Sequence, residues 1–331
     1  MNREQGGHAA EQPIETALYF PYIRVPRTPW FTQVLLYWDR AASIVPEALR
    51  PEDDGLNPYM QDLNRAGLLD YVRPAAALGN RRNTFEDAFV ALLDAGNPPP
   101  PEDLRTYERI HVDKMTRGLF IELHDRGLAA PTGPRTANWW KVESATAAAY
   151  MAYLASAISG AKKGMLPVTD QEDAIATLDL DSSDFRRRLA HLRYSTITRA
   201  LPAPRGAVSA ADLIDFKEKN LDVLRRCRKY LDHKLSDLAK EEDPEAREAR
   251  ADWVLQGIED EVASLTEKME RRRWPRITLG GFGGITAAGL TAATPLMTGG
   301  SLLQVGLAVG IGLLELGAAA SPTVADLIKV P

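Results

Sequence analysis

Residues 17–26, ALYFPYIRVP, are the stretch on which the fold turns. Their bulk reads as a short strand broken by Pro21 and Pro26, because proline is tolerated at a strand end or edge. Pro29 follows at a position where a first helical turn accepts it. From there Trp30, Val34, Trp38, Ala41 and Val45 recur at steps of three and four. That spacing predicts one helix over residues 30–44 with a single apolar face.

The alternation continues outward. Residues 58–66 read as a helix and LLDYV (68–72) as a strand. An amphipathic helix over 85–93 ends at Gly96 and the proline run 98–101. YERIHV (107–112) alternates like a strand, and a helix over 115–126 stops at Gly127. A strand at 139–142 leads into an alanine-rich helix over 144–159. LRYSTITRAL (192–201) has the β-branched alternation of a further strand. Strands interleaved with helices predict a helix-rich α+β or α/β fold, with a mixed domain over 15–205 behind a disordered 1–14.

Past the LPAPRG linker the pattern simplifies. Ser209 caps a helix in which Leu213, Lys217, Leu221, Leu224, Leu231, Leu235 and Leu238 fall largely on one stripe. EEDPEAR (241–247) is a charged turn. A second helix then carries Val254, Ile258, Val262, Leu265 and Met269 on one face. The short connection predicts an antiparallel, coiled-coil-like helical hairpin over 209–273.

The tail is the unusual part. After RRRWPR (271–276), no residue from 277 through 314 carries a formal charge. Split near 297–300, it gives two pieces of about twenty residues, the length that crosses a hydrocarbon core of about 30 Å. An apolar, glycine-rich helical hairpin over 277–320 is therefore expected, facing a membrane or a protein partner. Arg271, Arg272, Arg273 and Trp274 would lie at the interface. Gly280/Gly284 and Gly306/Gly310 form GxxxG steps that let helix backbones approach closely. Leu302, Leu303, Val305, Leu307, Val309, Ile311, Leu313, Leu314 and Leu316 together gain on the order of 4 kcal/mol on insertion. Gln304 and Glu315 offset most of that, although Glu315 lies near an end, so spontaneous spanning is marginal. An equal expectation is that neighbours in a soluble oligomer bury the tail.

Composition excludes several classes. At 331 residues, two or three structural units are expected, and 45% hydrophobic with 26% charged residues is ordinary for a globular chain. The net charge of −5 argues against a nucleic-acid binder. A single cysteine, Cys227, makes no internal disulfide and suits a reducing cytoplasm. Residues 1–13 are polar, without the apolar core of a secretory signal.

Sites for chemistry are sparse. His111 and Asp113 share a strand face, and with Asp170 they are the candidates for acid–base work in a cleft of 15–205. The alternative is a histidine in a strand, with His124–Asp125 ending the next helix against its dipole. Asp170, Glu172, Asp173, Asp179, Asp181 and Asp184 lack the glycine and terminal glutamate of a calcium loop and read as a helix start. Cys227 in RRCRK has the helical spacing of a packing residue, and Ser195 lacks nucleophile-elbow glycines. The cluster LGGFGG fails the dinucleotide fingerprint, because counting from Gly281 the last glycine position is Thr286. No cofactor and no metal are expected.

ALYFPYI (17–23), LYWDRAASIVP (36–46), residues 66–69, PVTD (167–170) and LPAP…DLIDFKEKN (201–220) resemble an uncharacterised bacterial family, a domain of unknown function. The resemblance implies no activity and no catalytic residues. It implies that the N-terminal region and the helical hairpin belong together, in a bacterial protein. The leading expectation is a non-enzymatic, homo-oligomeric interaction protein, cytoplasmic and associated with the inner membrane through its tail. A membrane-perturbing or defence effector is its sharper form. The alternatives are a soluble assembly subunit with a buried tail, and an enzyme with a cleft in 15–205.

Overall fold

A computed structural model describes residues 14–50, 57–95, 101–133, 138–162, 164–171, 189, 192–193, 196, 201–204, 208–271 and 277–278. Its centre is β1 (Thr16–Tyr19), a strand whose four residues are all buried. Parallel partners lie on both sides of it: β2 (Arg40–Ile44) and then β3 (Leu69–Val72) on one, β7 (Met165–Val168) on the other. Side chains alternate across a strand, so successive residues of β1 enter different cores. Ala17 and Tyr19 face one, Leu18 and Phe20 the other.

The first core is covered by α1 (Pro29–Tyr37), α2 (Pro58–Arg65) and the hairpin described below. The second is covered by α3 (Pro74–Leu78), α4 (Arg82–Ala95), α5 (Arg117–Asp125) and α6 (Ser144–Ala161). Packed there too is an antiparallel sheet in the order β4 (Tyr107–His111), β6 (Trp139–Glu143), β5 (Ala129–Pro131). The mixed, helix-rich class expected from sequence holds. Helix starts follow local chemistry. Thr28, Asn57, Thr116 and Ser209 accept the orphan amides of Phe31, Met60, Leu119 and Asp212, and Pro29 and Pro58 stand at first helical positions.

Two expectations within 15–205 are corrected. The helix predicted over 30–44 stops at Tyr37, Trp38 is extended, and residues 40–44 are β2. Because β2 is buried on both faces, its Ala41 and the buried Val45 just past it mimicked a continuing helical stripe. In 192–201, predicted as a strand, Leu192, Arg193 and Thr196 are helical.

The hairpin is formed by α7 (Ala210–Lys240) and α8 (Pro244–Arg271). Leu213, Leu224, Leu231, Leu235 and Leu238 of α7 and Val254, Ile258, Val262, Leu265 and Met269 of α8 are buried, in the same core as Tyr19, Val34 and Leu69. The hairpin thus completes one face of the sheet. A short β8 (Ala203–Pro204) pairs antiparallel with β9 (Ile277–Thr278). The root of the apolar tail is therefore strand, where the sequence predicted the start of a helix. The remainder of 277–320 lies outside the described residues.

Candidate functional site

The chain steps outward from β1 to β2 to β3, then returns through α6 to place β7 on the opposite side of β1. Such a reversal leaves a crevice beyond the carboxyl ends of the two strands that flank it, the usual ligand position of open parallel sheets. Here β1 runs out into Phe20, Pro21 and Tyr22, and β7 into Thr169 and Asp170. The Tyr19 hydroxyl donates to Asp170 Oδ1 at 3.1 Å and holds that carboxylate over the strand ends. Trp30 and Phe31, in the first turn of α1, pack on the Tyr19 ring at 6.1 and 6.0 Å. Burial, then the carboxylates of Glu108 and Asp170, push the Tyr22 phenol up to about 12. Burial also raises the Glu108 carboxyl above its usual range.

A one-turn 3-10 segment, Val112–Lys114, lies over the same end of the sheet. Asp113 accepts the amide of Ala48, just beyond β2, at 3.1 Å, and Arg82 donates to the Asp113 carbonyl at 2.9 Å. The His111 ring is buried edge-on against Trp139, and its Nδ1 accepts the Asp113 amide at 3.2 Å. Burial pushes this imidazole below its usual value, with the Asp113 carboxylate 3.6 Å away pulling the other way. Among the described residues the amine of Lys114 reaches Pro21 O at 3.4 Å and Met151 Sδ at 4.0 Å, and burial pushes it down to about 7. Glu86 braces this end from below, accepting the Thr116 amide and hydroxyl and, at 3.5 Å, the Tyr150 hydroxyl.

Of the three residues expected to work together, the fold joins His111 to Asp113 and gives Asp170 to Tyr19. His111 serves as the cap of its turn, and Asp113 as a tether to the β2 end. They form no joined acid–base set with Asp170. His124 and Asp125 are exposed at the end of α5. Glu172, Asp173, Asp179, Asp181, Asp184 and Ser195 lie outside the described residues. Cys227 is buried in the hairpin core, as a packing residue would be. Arg271 ends α8 in a pair with Glu267. Arg272, Arg273, Trp274, Gly280, Gly284, Gly306 and Gly310 lie outside the described residues. Among the described residues no three His, Cys, Asp or Glu side chains group as metal ligands, and no helix is long and apolar enough to cross a membrane.

At the opposite end of α1 the hairpin grips the sheet. The buried Lys217 amine donates to the carbonyls of Leu35, Trp38 and Asp39 at 2.7, 2.8 and 2.6 Å. The Leu35 carbonyl, in the last turn of α1, has no helical partner, and Trp38 and Asp39 lie just past the helix. Arg228 donates to the Tyr37 carbonyl at 3.1 Å and to both oxygens of Asp39 at 3.3 and 3.2 Å. The Tyr37 hydroxyl and Arg193 both reach Asp232 at 2.9 Å. Burial opposes ionisation of Asp39, but the Glu15 amide and Arg228 hold its carboxyl below the usual range.

Lys217 had a sequence signal, since it interrupts an otherwise leucine stripe. Tyr22, Glu108 and Lys114 had none, because only the packing of β4 and its turn over β1 brings them together. Comparison with family models, curated proteins and solved structures found no match to this chain.

Proposed function

We propose that this chain is a non-enzymatic interaction protein in which a parallel-sheet unit recognises a ligand and presents an apolar tail to a membrane. The observation that carries the proposal is the seating of the hairpin. Its leucines share a core with β1, Lys217 and Arg228 fasten it to the α1–β2 turn, and Ile277–Thr278 pairs with Ala203–Pro204. The charge-free segment follows directly in sequence on this strand pair. Apolar side chains gain by leaving water, and 277–314 is rich in them and has no formal charge to oppose that transfer. The basic run at 271–276 suits anionic headgroups beside the entry point.

The test is flotation with vesicles of phosphatidylethanolamine and phosphatidylglycerol. The full chain is expected to rise with the vesicles, and a truncation ending at Arg276 to stay in the dense fraction. Equal behaviour of the two rejects the proposal.

A further inference from the structure

The antiparallel sheet ends in β4, whose pairs with β6 are Tyr107–Glu143, Glu108–Val142, Arg109–Lys141, Ile110–Trp140 and His111–Trp139. Just beyond this ladder the amides of Ser144 and Val112 donate to the carbonyls of Thr106 and Asn138, at 2.9 and 3.0 Å. Those two bonds set its parity. Even-numbered residues of β4 bond to β6, so Tyr107, Arg109 and His111 turn their N–H and C=O groups to the outer edge. Among the described residues no backbone group bonds to them there, and Tyr107 and Arg109 are exposed. The same parity governs the side chains. Arg109 and Lys141, both exposed, stand opposite each other in a pair of the closer, non-hydrogen-bonded kind. Like charges so placed repel. The Arg109 guanidinium is held 5.2 Å over the Trp139 ring, which in turn meets the buried His111 ring edge-on at 5.0 Å.

An exposed strand edge pairs with an extended chain that completes its ladder, and charge selects which chain. A second copy of β4 laid antiparallel and centred on Arg109 would set two guanidinium groups opposite one another. A strand with carboxylates at alternate positions instead places them beside Arg109 and Lys141 and relieves the repulsion between these two. We propose that β4 takes an extended acidic segment of a partner protein as a fourth strand, its alternate carboxylates on the face of Arg109 and Lys141. Main-chain hydrogen bonds supply the affinity and the alternating charges the specificity. This names the partner of the recognition unit in the proposed function, and it rests on that reading of the chain as an interaction protein.

Isothermal titration of the full chain with an end-capped peptide of alternating glutamate and threonine tests this, beside the same peptide with lysine for glutamate. Saturable binding of the glutamate peptide and no binding of the lysine peptide are expected. Arg109→Gln and Lys141→Gln should each weaken binding at least tenfold while circular dichroism stays unchanged. Tyr107→Pro removes one outward N–H and keeps both basic side chains, and a strand edge tolerates proline there. It too should weaken binding at least tenfold. A wild-type chain that does not bind the glutamate peptide saturably overturns the inference. Undiminished binding by Tyr107→Pro overturns the strand pairing, and undiminished binding by both glutamine variants overturns the acidic preference. A chain that ignores the peptide but forms a dimer, lost in Tyr107→Pro, gives the edge to a second copy and overturns the inference as well. A chain that binds the peptide but does not float removes the membrane proposal and leaves this interface standing. One that floats without binding the peptide does the reverse.

Discussion

The Lys217 amine lies 2.6 Å from the main-chain oxygen of Asp39, the residue whose carboxylate Arg228 holds from one face further along the same helix. Two basic side chains of α7 therefore close on one turn of the sheet unit. Replacing Lys217 by Met keeps the apolar stem but leaves the carbonyls of Leu35, Trp38 and Asp39 without this donor. Unsatisfied buried acceptors are costly, and a loss of about 3 kcal/mol is expected from the urea midpoint. Lys219→Met, two residues away with an exposed side chain paired to Asp215, should cost less than about 0.5 kcal/mol.

Lys114 sets a pH dependence. Burial places its folded value at about 7, against about 10.5 in the unfolded chain. Between those values the unfolded chain keeps a proton that the native protein has shed, so stability rises with pH across this window and is lowest at and below its foot. From pH 7 to pH 9 the Lys114 share is about 2 kcal/mol. Lys217, also pushed down to about 7 by burial, acts in the same direction. Denaturation curves at the two pH values should show wild type gaining stability and Lys114→Met gaining about 2 kcal/mol less. Equal gains would place the titration elsewhere.

The glycine steps of the tail make a separate prediction. Leucine at both Gly306 and Gly310 adds bulk where two helix backbones are expected to meet, while raising hydrophobicity. Self-association in detergent micelles, read by crosslinking, should fall in the double variant while flotation persists. Unchanged crosslinking would show that these glycines do not form the contact.

Much of the layout was legible because burial follows period. The strands at 68–72, 107–112 and 139–142, the helix over 144–159 and both arms of the hairpin follow from apolar spacing and capping residues. The junction at Trp38–Arg40 was not legible, since no glycine or proline marks it. What ends α1 there is tertiary: the Glu15 amide on the Asp39 carboxylate and the Lys217 amine on the freed carbonyls. The site was half legible. His111, Asp113 and Asp170 were singled out by residue type, but their partners depend on which strand ends become neighbours. Tyr19, Tyr22 and Glu108 carry no local signature, and a buried Lys114 runs against the usual habit of lysine.

The most direct test of the central claim is alkaline carbonate extraction of vesicles loaded with the full chain. The tail account predicts that the protein stays with the vesicle pellet, while the truncation ending at Arg276 is absent from it. Complete release of the full chain into the wash, as a defined soluble oligomer, would contradict the claim and identify a subunit whose tail is buried by its neighbours.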